Sequence, residues 1–236
     1  MCRFSGALLV ASVIGSPVLG LAIRAETGSE TMVPSVSQVV QPLVQFTSVE
    51  LHNGTKAVLQ YGTVHRVTLL KGSTDFSRIR VSQQRLVIDK CPDKCPRGYE
   101  LQVEIVTPVI LALSVANGGR IESQGDFPRQ AALSLAVSNG GVLDARAILA
   151  SNITAAVAHG GRILAKPQAK LIASVNQGGM ITYWGTAQVT SAIEHGGVVN
   201  KGADADVNKH LFDFGASTDS VPPVPLLPAI PPIRNQ

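Results

Sequence analysis

Five glycine pairs divide the second half of the chain into repeats of nearly constant length. They stand at Gly118-Gly119, Gly140-Gly141, Gly160-Gly161, Gly178-Gly179 and Gly196-Gly197, with spacings of 22, 20, 18 and 18 residues. Aliphatic residues recur three and seven positions before the first glycine of each pair and three positions after it. The three columns are Val115, Val137, Val157, Val175 and Ile193; Leu111, Leu133, Ile153, Leu171 and Val189; and Ile121, Leu143, Ile163, Ile181 and Val199. Five copies that agree at three columns predict that each repeat is one structural unit.

Short strands joined by glycine turns, at this period, are typical of a β-solenoid. One coil cannot bury its own apolar face, so successive coils stack and fill a narrow core. Adjacent coils then lie ~4.8 Å apart, which is the ordinary strand spacing. The pattern predicts an all-β fold, a parallel β-helix with coils of 18–22 residues over 107–202.

Residues 46–106 alternate apolar and polar positions in short runs, and no run has a helical period. The stretch "VELHNGTKAVLQYG" holds two such runs around Asn53-Gly54, a dipeptide typical of tight β-hairpin turns. The sequence therefore predicts a hairpin here, followed by further strands, and the whole of 46–202 forms the expected β-domain.

The two ends of the chain differ from this domain. Residues 1–25 resemble an export signal, with Arg3 before an apolar run and small residues at a cleavage site that ends at Ala22 or Ala25. A retained anchor is the alternative, but Ser, Gly and Pro interrupt a segment shorter than the ~20 apolar residues of a membrane span. Residues 26–45 are expected to be a linker, and 203–236 an extension that ends in a disordered proline-rich tail.

Composition excludes one class of partner and supports export. Charged residues make up 15% of the chain and the net charge is +4, with no basic block that would suit a nucleic acid. Removal of residues 1–25 leaves two cysteines, Cys91 and Cys95. An even pair this close, in an oxidising compartment, predicts a local disulfide rather than a metal site.

The repeats "NGGRIES", "NGGVLDA", "HGGRILA", "QGGMITYWG" and "HGGVVNKG" resemble those of the GIN domain, the auto-transporter adhesin head family. The resemblance covers Phe46 to Gly202 and includes the strands around "FTSVELHNGTKAVLQYG". Family repeats often continue from the first glycine with serine and glycine, where this chain has a glycine pair. The resemblance implies a right-handed parallel β-helix in an exported bacterial protein, located in the periplasm or at the outer surface.

The residues before the glycine pairs form one expected column along an edge of the stack. They are Asn117, Asn139, His159, Gln177 and His195. One interpretation is that they satisfy the hydrogen bonds of the turns, and the other is that they contact a glycan. Two coils, or ~10 Å, separate the histidines, too far for a shared zinc ion, so no metal site and no cofactor are predicted.

Glu122 and Asp144 hold equivalent positions on adjacent coils, on the side that strand alternation directs outward. Their expected separation of ~5 Å is near that of a retaining glycosidase pair, and this supports the hypothesis of a polysaccharide-active enzyme. Arg120 and Arg146 lie close in sequence, however, and a solvated, neutralised face is the favoured expectation.

Trp184, the single tryptophan, is a candidate for sugar stacking or a protein contact. Alternation from inward-facing Ile181 places Tyr183 inside the stack and Trp184 outside it. The competing and favoured interpretation is that the C-terminal segment, for example "HLFDFG", covers Trp184.

The sequence as a whole predicts an exported, non-enzymatic binding or adhesion module of the cell envelope. Its expected partners are a glycan or an envelope protein, without nucleic acid and without a membrane span after signal cleavage. The alternatives are the enzyme above and a structural periplasmic scaffold whose open solenoid end stacks on another copy.

Overall fold

Alternating apolar residues form strands throughout the part of the chain that the computed structural model describes, namely residues 38–40, 44–91 and 94–204. The predicted signal peptide, most of the linker and nearly all of the C-terminal extension lie outside these residues. Within them the structure is all-β, and its helical element is a short 3-10 helix, Thr74–Phe76. Fifteen strands are described: β1 (Gln38–Val40), β2 (Ser48–His52), β3 (Lys56–Tyr61), β4 (Arg66–Lys71), β5 (Ser77–Ser82), β6 (Arg85–Lys90), β7 (Gln102–Thr107), β8 (Ala112–Val115), β9 (Arg120–Gln124), β10 (Gln130–Val137), β11 (Val142–Ala158), β12 (Arg162–Asn176), β13 (Met180–Tyr183), β14 (Gln188–Glu194) and β15 (Val198–Lys201).

The repeats stack by parallel pairing at the spacing of the glycine pairs. In one series, β8, β10, β11, β12 and β14 follow one another, and Leu133 pairs with Ile153, Ile153 with Leu171, and Leu171 with Val189. The second series runs through β9, β11, β12, β13 and β15. Because β11 and β12 are long enough to belong to both series, the strands form one curled sheet.

The sheet is mixed rather than purely parallel. Antiparallel pairs join β1 to β4, β4 to β7 and β5 to β6, all at the N-terminal end of the stack. β1 itself lies within residues 26–45, where the sequence predicted a linker. The architecture that the structure shows is therefore an all-β fold with a curled mixed sheet, parallel through the glycine repeats.

The predicted hairpin at Asn53-Gly54 is wrong. β2 pairs with β6 and β8, whereas β3 pairs with β7 and β9, so the two strands flanking the turn do not pair with each other. Asn53 and Gly54 both have positive φ, at 57° and 71°. A turn of this kind closes a hairpin, but here it carries the chain around a corner of the stack, as the later glycine pairs do.

The apolar columns form the core. Val157, Val175, Ile163 and Ile181 are all at most 3% exposed, and burial of each such side chain contributes roughly 1.5–3 kcal/mol. Two predicted positions are largely exposed, each at an end of its column: Leu111 precedes β8 and is 49% exposed, and Ile193 in the last coil is 48% exposed.

Candidate functional site

Six polar residues line one corner of the stack, and we call them the polar edge. They are Asn53, Asn117, Asn139, His159, Gln177 and His195. All six have φ between 50° and 57° and exposed side chains. Asn adopts this left-handed conformation more readily than most residues, so the turn geometry explains why asparagine recurs here.

Hydrogen bonds tie the edge together from coil to coil. Asn139 Nδ2 donates to Asn117 Oδ1 at 2.9 Å, and Asn117 Nδ2 donates to Asn53 Oδ1 at 3.3 Å. The backbone does the same, since the amide of Gly140 donates to the carbonyl of His159 at 3.1 Å. The lower half of the polar edge is thus a structural amide ladder, as one of the two sequence interpretations proposed.

The upper half of the polar edge is different. The side chains of His159, Gln177 and His195 make no hydrogen bond to any residue that the structure describes. Their donors and acceptors face solvent and remain available to a ligand. As binding residues, these three side chains remain a prediction.

Beside the polar edge runs a shallow groove that the sequence did not predict. Its volume is about 230 Å³, and it crosses β8, β10, β11 and β12 on the outer face of the sheet. The floor is made of small residues in register, Ser114, Ala136, Ala156 and Ser174. The sequence signal was present, because a small residue precedes the valine column in each of these repeats.

One polar atom in the wall of the groove lacks a hydrogen bond. Asn176 Nδ2 donates to Glu194 Oε2 at 3.3 Å, but Asn176 Oδ1 is buried and has no partner in the structure. An unpaired buried carbonyl is costly unless water or a ligand satisfies it. Asn176 immediately precedes Gln177 in the chain, so the wall of the groove adjoins the polar edge.

Glu122 and Asp144 do not lie on a solvated face, and that expectation is wrong. Each residue is only 2% exposed, although they pair on adjacent strands as predicted. Asp144 accepts hydrogen bonds from Arg146 Nε at 2.9 Å and Nη2 at 2.5 Å, so the expected neutralisation by Arg146 is present. A buried charge needs a partner of this kind, and the pair is closed to a polysaccharide chain.

Trp184 is also buried, at 4% exposure, and does not present its ring to a ligand. Its Nε1 donates to the carbonyl of Ala203 at 2.8 Å, and the ring packs against Gly202. Arg146 Cζ lies 5.2 Å from the ring centroid, in a cation–π contact. The chain directly after β15 therefore covers Trp184, and "HLFDFG" lies outside the described residues. Tyr183 packs against the core, as predicted.

The predicted disulfide between Cys91 and Cys95 is confirmed, with Cα atoms 5.1 Å apart. It closes a loop between β6 and β7 at the N-terminal end of the stack. Among the described residues, no three His, Cys, Asp or Glu side chains are grouped in a way that could hold a metal ion.

Perturbed titrations occur away from the polar edge. Burial lowers the pKa of His65, whose ring lies 4.7 Å from that of Phe46. A hydrogen bond from Lys71, 2.6 Å long, lowers the pKa of the Glu100 carboxyl, and the charge of Lys56 adds to this effect. Both groups belong to the loops that join the N-terminal strands.

Within the described residues, no helix is long and apolar enough to span a membrane.

Comparisons with known proteins give distant likenesses. No protein-family model matches the chain, and no curated protein matches it. A solved "putative adhesin" from Bacteroides fragilis is 12% identical to this chain, with a TM-score of 0.45. The match covers 70% of this chain and 95% of the solved one. One from Parabacteroides distasonis is 13% identical with a TM-score of 0.37, for 70% and 95% coverage. A "putative cell adhesion protein" from Clostridium sporogenes is 10% identical with a TM-score of 0.32, for 70% and 98% coverage.

Proposed function

We propose that this chain is an exported, non-enzymatic binding module of the bacterial envelope, built as a right-handed β-solenoid of the GIN type. The observation that carries the proposal is the parallel course of the polar edge and the groove along successive coils. Export rests on the signal-like residues 1–25 and agrees with the Cys91–Cys95 disulfide, because disulfides persist in oxidising compartments.

The ligand that suits this surface is an extended polar polymer such as a glycan. A surface that repeats every ~4.8 Å presents similar contacts to successive units of such a chain. Hydroxyl and amide groups, from Ser114 and Ser174 in the groove to Gln177 on the edge, both donate and accept hydrogen bonds. These are the groups that a sugar hydroxyl needs.

The enzyme alternative loses its support at the same time. Glycoside hydrolysis by two carboxyl groups requires that both reach the bond to be cleaved. Glu122 and Asp144 are buried, and Arg146 engages Asp144. The groove itself is lined by serine, alanine, valine and asparagine, which supply no general acid or base.

Binding is tested with the purified full chain, by co-sedimentation with insoluble cell-wall polysaccharide and by a glycan array. Ala156→Arg places a long side chain on the groove floor, and His159→Gly with Gln177→Gly removes two edge side chains while keeping positive φ accessible. We expect each variant to lose at least ~10-fold in affinity, or 1.4 kcal/mol. Arg162→Ala, an exposed change on the other sheet series, is the matched control and should bind normally.

Two results would contradict the proposal. One is unchanged binding by Ala156→Arg, since the groove would then play no part. The other is the absence of binding to every glycan and cell-wall fraction, together with protection from protease added to intact cells.

A further inference from the structure

The C-terminal end of the stack has open strand edges. β14 pairs with β12, and β15 pairs with β13; no other described strand pairs with either. Glu194 directs its carbonyl to the preceding coil, where it accepts from the Gln177 amide at 3.2 Å. Because alternate residues of a strand point their backbone groups to opposite sides, Val189, Ser191 and Ile193 direct theirs to the open edge.

The core is open at the same end. Val175 is 1% exposed, whereas Ile193, which follows it in the same column, is 48% exposed. Ile181 is fully buried, whereas Val199 after it is only partly buried. On the outer side of β15, Val198 is 45% exposed. The last coil therefore exposes apolar residues of two columns that are buried in every earlier coil.

The two ends of the stack differ in how their edges are protected. Charged side chains on an edge strand discourage pairing with another chain, and β5 at the N-terminal end carries exposed Arg78 and Arg80. β14 reads "QVTSAIE", with no charge before its last residue and no proline. β14 therefore lacks the protection that β5 has.

We propose that two copies of this chain associate through their C-terminal ends, forming a twofold dimer in which β14 and β15 gain pairing partners. An occupant has to supply two strands and an apolar core at the same separation, and a second copy of this end does so. β14 and β15 together carry one charge of each sign, Glu194 and Lys201, so these strands meet those of a second copy without net repulsion. A twofold contact buries both ends and stops at two copies.

The test is sedimentation equilibrium of the full chain over the micromolar range. Ser191→Pro removes an amide that points to the open edge and leaves the pairing of β14 with β12 intact. Ile193→Lys places a charge where the two cores would meet. Each change occurs twice in a symmetric contact, and we expect each to raise the dimer dissociation constant at least ~10-fold. Ser191→Ala is the matched control and should dimerise like the wild type.

Two outcomes would overturn the proposal. A wild-type chain that is monomeric at every concentration would mean that the end stays open or that residues after 204 cover it. Dimerisation that survives both Ser191→Pro and Ile193→Lys would place the contact elsewhere on the chain. Glycan binding is measured on variants of a different surface, so its failure would not affect this result, nor the reverse.

Discussion

The two glycines of each repeat have different physical roles, and this predicts different costs for the same substitution. Gly160 has φ of 77°, and a Cβ added to it would meet no heavy atom within 4 Å. A Cβ on Gly161 would instead lie 2.5 Å from Val137 Cγ1 and 3.2 Å from Val157 Cγ1. The first glycine is needed for its backbone conformation, and the second for the close approach of one coil to the valine of the previous coil.

The magnitudes follow from these environments. Alanine in the left-handed region destabilises the folded state by about 1–2 kcal/mol. Replacing glycine also lowers the conformational entropy of the unfolded chain, which stabilises the folded state by about 0.4–1 kcal/mol. Gly160→Ala should therefore lower the free energy of unfolding by less than ~1 kcal/mol. Overpacking costs about 1–3 kcal/mol, and the β-branched Val137 cannot easily rotate away, so Gly161→Ala should cost about 1–2 kcal/mol after the same correction.

Urea denaturation followed by circular dichroism measures both values, with an unchanged m-value as the check that only stability has changed. A double-mutant cycle with Val137→Ala isolates the clash, and we expect a coupling of ~1–2 kcal/mol between the alanines at 161 and 137. The control is the same cycle with Gly160→Ala, which should show no coupling. If Gly160→Ala costs more than Gly161→Ala, or if the first cycle shows no coupling, the assignment of the two roles is wrong.

Three further predictions concern single contacts. Arg146→Met leaves the buried Asp144 carboxylate without its ion-pair partner and should lower the free energy of unfolding by about 3–5 kcal/mol. Adding Asp144→Leu, which places at 144 the residue type of Leu164 in the next coil, should restore most of that free energy, as measured by urea denaturation. Burial lowers the pKa of His65 below 6.5, so the unfolded chain binds more protons and stability should fall as pH drops below 6.5; in His65→Gln this part of the pH dependence should vanish, and a slope that persists would contradict its cause. Reduction of Cys91–Cys95 should lower the free energy of unfolding by only about 2 kcal/mol, because the loop it closes is short; a loss of all β-structure on reduction would contradict this.

The repeats could be predicted because every coil has to bury apolar residues at the same positions. Val137, Val157 and Val175 occupy one position, so the sequence contains both the column and its register. The hairpin at Asn53-Gly54 could not be distinguished from a corner in the same way. Two residues with positive φ serve either turn, and the choice depends on β6 and β8, which are far from β2 in the sequence and take its pairing positions.

The polar edge was predictable for a similar reason, since one residue before each glycine pair has to adopt positive φ. Which edge side chains lack hydrogen bonds to other described residues was not predictable. Asn117 and Asn139 bond to each other because adjacent amides are complementary, whereas His159 and Gln177 do not pair. The groove was missed although a small residue precedes each valine of the column, because small residues suit any exposed strand position and do not by themselves indicate a groove.

The misplacement of Glu122 and Asp144 has the same physical origin as the outward position that alternation alone gives Trp184, whose burial agrees with the favoured expectation of cover by the C-terminal segment. Strand alternation determines which face of a sheet a side chain occupies, but it does not determine whether another part of the chain covers that face. The outward column also contains Leu164, which is 2% exposed. A leucine in a column otherwise read as solvated indicates a covered face, and a covered face accounts for the ion pair of Asp144 with Arg146. On a solvated face that pair would add little stability, whereas on a covered one the carboxylate requires it.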